Sequence, residues 1–294
     1  MIGLKVYADK LTPYIHWNVD YFEVYIRHID HMGCPIDLET QLKMLEPIKD
    51  KVKGIHGGIL YQGVNFCDAN AIDDNKKALD IVFESLDFFP NCKYIVFHPG
   101  CFTNPNSCSL SELISWVKPI QDKRFMLEIE PFLCYKERYC FPLYKPEDYL
   151  MLKYEIGKEI LVDTGHALIM SRVLNLEPYQ YINELIDVLN PSVIHLANND
   201  RRGDGYEDSH LPLGQDELDF TKGYLSWNTF RLNKEPKKGK HPAHFSWKKN
   251  QHVTNPINWD ESRTATIKEH KGLFFYDEKI YPNSVYIEIN DGLL

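Results

Sequence analysis

The sequence predicts an α/β fold, a (β/α)₈ TIM barrel. Three observations carry that reading. Short runs rich in Val, Ile, Phe and Tyr alternate with stretches whose apolar residues recur at helical spacing. Several runs are apolar on consecutive residues, as strands covered on both faces are. Imidazoles and carboxylates then stand where run after run stops: GIHGG, IVFHPG, FMLEIEP, ILVDTGH, VIHLANND and VYIEIND. In a barrel, parallel strand ends ring one mouth, so residues distant in sequence meet there. A doubly wound open sheet would spread them along a line.

GLKVYA (3–8) is the first expected strand and YFEVYI (21–26) the second. The link between them is short enough to limit its helix to about two turns. DLETQLKMLEPIKD follows as a helix with an acidic start, and KVKGIH (51–56) is the third strand. AIDDNKKALDIVFESLDFF is helical, and KYIVFH (93–98) is the fourth strand. SLSELISWVKPIQD is a helix opened by Ser109, whose hydroxyl can cap it. RFMLEIE (124–130) is the fifth strand and EILVD (159–163) the sixth. KPEDYLMLKYEIGKE, before the sixth, and EPYQYINELIDVLN, after it, are helices with Pro in the first turn. SVIHLA (192–197) and SVYIEI (284–289) complete the eight strands.

Two places break the regularity. The link from the seventh to the eighth strand holds LDFTKGYLSWNTF, which can form a helix, and then a polar, basic and aromatic stretch. It is expected to be an insertion (222–280) at the catalytic face of a single domain, 1–294, because loops there grow without disturbing the barrel. The chain also stops too soon after the eighth strand for a full terminal helix, so that gap needs another cover, the insertion or a partner subunit.

Composition bounds the function. The chain has 294 residues, 44% hydrophobic and 26% charged, which is ordinary for a soluble globular domain. No apolar run is long enough for a bilayer. MIGLKVYADK carries charge inside its apolar stretch, so it is not a signal peptide. A cytoplasmic location without a membrane partner is expected. Seven cysteines, an odd count with no CxxC, suit buried free thiols rather than a disulfide framework. The net charge of −9 excludes a chain built overall to grip nucleic acid. The stretch Lys222–Lys271 is locally basic, with about eleven Lys and Arg against about four acids.

Nine side chains form the candidate site: His56, His98, Glu128, Asp163, His166, His195, Asp208, His210 and Glu288. Imidazole nitrogen and carboxylate oxygen suit divalent metals, and a carboxylate can bridge two. Side chains alternate along a strand, so Glu128 and Glu130 share a face, with Glu128 the ligand and Glu130 at the rim. Asp163 ends a strand and His166 sits in the following turn. The spacing of Asp208 and His210 puts both on one side of an extended loop. Glu288, inside an apolar run, needs a partner if buried. Each residue alone is an ordinary structural one; together they are not. His16, His28, His31, His241, His244, His252 and His270 lack this placement, and most of them are expected on the surface or in loops.

The order of these motifs resembles the endonuclease IV family of the xylose isomerase-like TIM barrels. The likeness runs from about Lys51 to Phe220 and resumes at the last strand. It rests on His56, HPG at His98–Gly100, Glu128, DTGHA at Asp163–Ala167, HLANND from His195, DSH at Asp208–His210 and the LPLGQDELDF that follows. The family's glutamate is followed by Asn–Thr–Ala–Gly, where this chain has Ile129, Glu130 and Pro131. The resemblance implies a DNA-repair hydrolase that cleaves the phosphodiester beside an abasic site with two or three Zn²⁺ ions. His56, His98 and Glu128 would hold one ion, and Glu128, Asp163, His195 and Glu288 a second. His166, Asp208 and His210 would hold a third. Glu128 and Glu288 are the implied catalytic carboxylates of a two-metal hydrolysis that needs no separate side-chain base. Glu130, Arg201, Arg202, Trp247 and Lys248 are the candidate contacts to DNA or to a small phosphoester.

Two other functions compete. Sugar isomerases and epimerases of the same barrel resemble the chain through Glu128, Asp163, His195 and Glu288, which there hold one Mn²⁺, Mg²⁺ or Fe²⁺. Two glutamates then move a proton beside a carbonyl. The additional His56, His98 and DSH pair favour the multi-metal hydrolase. The third class is a nucleic-acid binder, in which Trp227, Phe230, Phe245, Trp247 and Trp259 stack bases among the lysines of the insertion. Its plainer counterpart is a solvated lid packed on the rim. An oligomer is compatible with either.

Overall fold

The computed structural model describes residues 2–30, 33–104, 106–131, 141–197, 199 and 284–288. Eight strands form a closed barrel in sequence order: β1 (Ile2–Tyr7), β2 (Tyr21–Tyr25), β3 (Val52–His56), β4 (Tyr94–Phe97), β5 (Phe125–Glu128), β6 (Glu159–Asp163), β7 (Val193–Leu196) and β8 (Ser284–Glu288). Every neighbouring pair is parallel, and β8 closes the ring between β7 and β1. All eight expected strands are present: β6 has its expected bounds, β1 is shifted by one residue, and the others are trimmed by one to three. Trimming leaves His98 one residue beyond β4.

Strand alternation sorts the side chains into two layers. Leu4, Val6, Phe22, Val24, Ile95, Phe97, Phe125, Leu127, Ile160, Val162 and Ile194 belong to the main core, shared with the helices. Tyr94, Val96, Met126, Leu161 and Val193 form a second cluster, inside the barrel. The register shifts between Phe22 and Glu23, where Val52 and Gly54 are the successive partners. Lys53 is the extra residue, so Val52 and Ile55 both join the main core while Gly54 and His56 turn inward. Gly54 has a steric reason: a Cβ there would lie 2.1 Å from the Tyr94 ring. Tyr94 of β4 thus lies against bare β3 backbone and reaches Glu23 on β2.

Among the described residues six α-helices cover the barrel. Leu38–Leu45 (α1) is capped by Asp37, whose carboxylate accepts from Thr40 N at 2.8 Å. Ile72–Ser85 is α2, and Leu110–Val117 (α3) starts at Ser109, whose hydroxyl accepts from Glu112 N at 3.1 Å. Pro146–Ile156 (α4) stops at Gly157, where φ is +65°. Thr164–Leu174 is α5 and Pro178–Leu189 is α6. The sequence reading assigned only α6 to the β6–β7 link. The reason α5 escaped it is that Ala167, Leu168, Ile169 and Met170 are all fully buried. A helix apolar all round gives no one-sided period. His166 therefore stands in the first turn of a helix rather than in a turn. The β1–β2 link holds a single 3₁₀ turn, Ala8–Lys10.

Cys67, Cys92, Cys101 and Cys108 are buried free thiols and Cys34 an exposed one. Of the remaining histidines, His28 lies in the loop after β2 but is buried there, 9% exposed, with Nε2 3.7 Å from Asp74. Among the described residues no helix is long and apolar enough to cross a membrane. The inserted segment 222–280 lies outside the described residues.

Candidate metal centre

The strand ends bring five of the sequence-predicted residues to one carboxylate. Glu128, 1% exposed at the end of β5, is the hub. Its Oε2 lies 3.2 Å from His56 Nε2, 3.5 Å from His98 Nε2 and 3.2 Å from His195 Nδ1. Its Oε1 lies 3.3 Å from His166 Nδ1. Asp163 Oδ2 is 3.9 Å from His195 Nδ1. Two overlapping groups result, His56–His98–Glu128 and Glu128–Asp163–His195, each with ligand atoms within 4.8 Å of one another. Glu128 belongs to both.

Each imidazole is held from behind. His56 Nδ1 donates to Gly57 O at 2.8 Å, His98 Nδ1 faces Glu130 Oε1 at 2.8 Å, and His195 Nε2 faces Glu23 Oε2 at 2.9 Å. His166 Nδ1 donates to Ile129 O at 2.7 Å. Asp163 divides its oxygens. Oδ1 caps α5 by accepting from His166 N at 2.8 Å, while Oδ2 is buried and makes no hydrogen bond among the described residues. Glu128 Oε1 is orphaned in the same way. Tyr25 stacks on His56 with centroids 4.4 Å apart, and Tyr7 stacks on Tyr25 at 4.8 Å, which fixes the His56 ring plane.

The protonation chemistry fits a cation. Burial, then the nearby Lys5, push His56 down to about 3, so its ring is neutral. Both of its nitrogens face acceptors, Gly57 O and Glu128, and a neutral imidazole has one proton for the two. A cation between Nε2 and the carboxylate removes that conflict. Burial would also lower His98, but Glu130 and then Glu128 raise it to about 9. Burial is likewise outweighed at His195, where Glu23 and Glu128 raise the ring to about 9. Glu128 is held well below the usual carboxylate range, the surrounding imidazoles outweighing its burial. The donor set is imidazole nitrogen and carboxylate oxygen, with unsatisfied oxygens aimed inward. That is what a divalent ion requires.

Glu130 stands on the same face as Glu128, as expected, but it is only 3% exposed and engaged with His98 rather than lying open at the rim. Asp208, His210, Arg201, Arg202, Trp247 and Lys248 lie outside the described residues, as does the Glu288 side chain. Glu23 was missed by the sequence reading. It is 0% exposed on β2, and its Oε2 accepts from Tyr94 OH at 2.6 Å as well as facing His195. The signal was present: an acid inside the apolar run YFEVYI needs a buried partner.

No protein-family model and no curated protein matches the sequence. Solved structures do match. Endonuclease IV from Thermus thermophilus is 14% identical over 99% of this chain and 93% of that one, with a TM-score of 0.54. A xylose isomerase domain protein from Planctomyces limnophilus is 12% identical over 98% and 88%, also with a TM-score of 0.54. A second Thermus thermophilus protein, soaked with ZnCl₂, is 17% identical over 74% and 84%, with a TM-score of 0.50. With its closed parallel barrel and its match along nearly the whole chain, this protein shares the fold of these structures, an α/β TIM barrel.

Proposed function

We propose that the chain is a metal-dependent phosphodiesterase acting on DNA at abasic sites. One observation carries the reading: two His–carboxylate groups share Glu128, which is the arrangement for two ions and more than a one-ion isomerase needs. His56, His98 and Glu128 would hold one ion, and Glu128, Asp163 and His195, with Glu288, the other. His166 would contribute to a third with Asp208 and His210. Zinc suits this donor set, and Mn²⁺, Mg²⁺ or Fe²⁺ are its alternatives. When bound, such ions polarise a phosphoryl oxygen and lower the pKa of water.

The chain's own groups do the rest. Glu130 and the Gly57 carbonyl hold His98 and His56 from behind, so that Nε2 of each is turned to Glu128. Asp163 anchors α5 with one oxygen and offers the other to the centre. The near-complete burial of Glu128, Asp163, His56 and His195 excludes bulk water and strengthens each charge. Arg27, just past the end of β2, lies over the Tyr7 ring at 4.9 Å and is paired with Asp9 at 3.3 Å.

The test is strand cleavage of a duplex carrying one abasic site. The zinc-loaded protein is expected to cut it, and chelation is expected to abolish the cut. If that duplex stays intact while a ketose is isomerised with one ion per chain, the sugar-isomerase reading replaces this one.

A further inference from the structure

We propose that Glu23 is a positioning residue of the metal centre. Acting through His195 Nε2, it dictates which ring nitrogen faces Glu128 and Asp163. The inference rests on the metal-centre reading above and adds a residue outside both ligand groups.

Both ring nitrogens of His195 face carboxylates. His195 Nε2 lies 2.9 Å from Glu23 Oε2, while Nδ1 lies 3.2 Å from Glu128 Oε2 and 3.9 Å from Asp163 Oδ2. The same Glu23 oxygen takes the Tyr94 phenol proton at 2.6 Å. Glu23 Oε2 thus has two buried groups turned to it, the Tyr94 hydroxyl and the His195 ring. A proton on Nε2 satisfies it, and Nδ1 is then the nitrogen left with a lone pair for a cation. A carboxylate behind an imidazole also makes that ring a stronger ligand.

Tyr94 is part of the device. Its ring lies against Gly54, where any side chain would collide with it, and its hydroxyl donates to the same Glu23 oxygen that faces His195. Three strands, β2, β3 and β4, thus fix one rotamer of a residue on β7. Gly57 O and Glu130 play the equivalent part behind His56 and His98, and the Glu23 carboxylate is itself held by a second buried donor, the Tyr94 hydroxyl.

The test uses the full chain titrated with Co²⁺ against a competing chelator, for the wild type, Glu23→Gln and Tyr94→Phe. The wild type is expected to bind at least two equivalents. Glu23→Gln is expected to weaken one of them by about 10–100-fold and leave the other unchanged. Tyr94→Phe is expected to weaken the same equivalent by less, and it serves alone if Glu23→Gln does not fold. In the zinc-loaded wild type, ¹⁵N NMR is expected to show His195 protonated at Nε2 and bound through Nδ1. Wild-type affinity for every equivalent in both variants would overturn the proposal, as would equal weakening of all of them in a folded variant or a zinc-loaded His195 bound through Nε2. A wild type that binds fewer than two equivalents would instead overturn the metal-centre reading beneath it.

Discussion

Glu128 Oε2 lies within 3.5 Å of three imidazole nitrogens from three different strand ends. Its charge, not its shape, organises the centre. Glu128→Gln keeps the volume and removes the charge, so it is expected to lower bound metal and to cut the proposed phosphodiesterase activity by about a hundredfold. Elemental analysis beside a strand-cleavage assay checks both. At this scale the sequence was informative where polar residues end apolar runs. His56, His98, Glu128, Asp163 and His195 could all be named because each stands at or next to a strand end. Glu23 could not be placed, because it sits mid-strand, and only the barrel's closure shows that β2 faces β7 across the interior. Glu130 was located but misjudged, since its hydrogen bond to His98 depends on side-chain packing that spacing does not encode.

Gly54 on β3 decides how two elements fit. An added Cβ would lie 2.1 Å from the buried Tyr94 ring, which cannot swing away without releasing Glu23. Gly54→Ala is expected to destabilise the fold by about 1–3 kcal/mol, read from the urea midpoint. A smaller effect is expected at α3, where Ser109→Ala removes the bond to Glu112 N and costs about 1 kcal/mol. The eight strands were legible because each is a short β-rich run between turn or helix signals. The capped and Pro-initiated helices were legible from their first turns. Helix α5 was not. Asp163 is both its N-cap and a candidate ligand, and the apolar ALIM that follows carries no polar face to mark a helix.

The whole molecule's response to pH follows from four buried or nearly buried groups in the metal-free protein. Glu23 is lowered to about 2 and His56 to about 3, so the unfolded chain binds protons that the folded chain refuses as pH falls below 6.5 and then 4.5. Stability therefore falls toward acid. His98 and His195 are raised to about 9, so the folded chain keeps protons that the unfolded chain loses above 6.5, and stability also falls as pH rises toward 9. The melting temperature of the chelated protein is expected to peak near the ordinary imidazole value of 6.5. Zinc, which competes with those protons for the same nitrogens, is expected to move the peak upward. A metal-free curve rising steadily through pH 8 would contradict these assignments.

The central claim is that one carboxylate joins two cation sites at the barrel's mouth. It is tested most directly by anomalous scattering from a crystal of the zinc-loaded protein, collected on both sides of the zinc edge. The expected map has at least two peaks, both touching Glu128, one beside His56 and His98 and the other beside Asp163 and His195. A single peak, or none near Glu128, would contradict it.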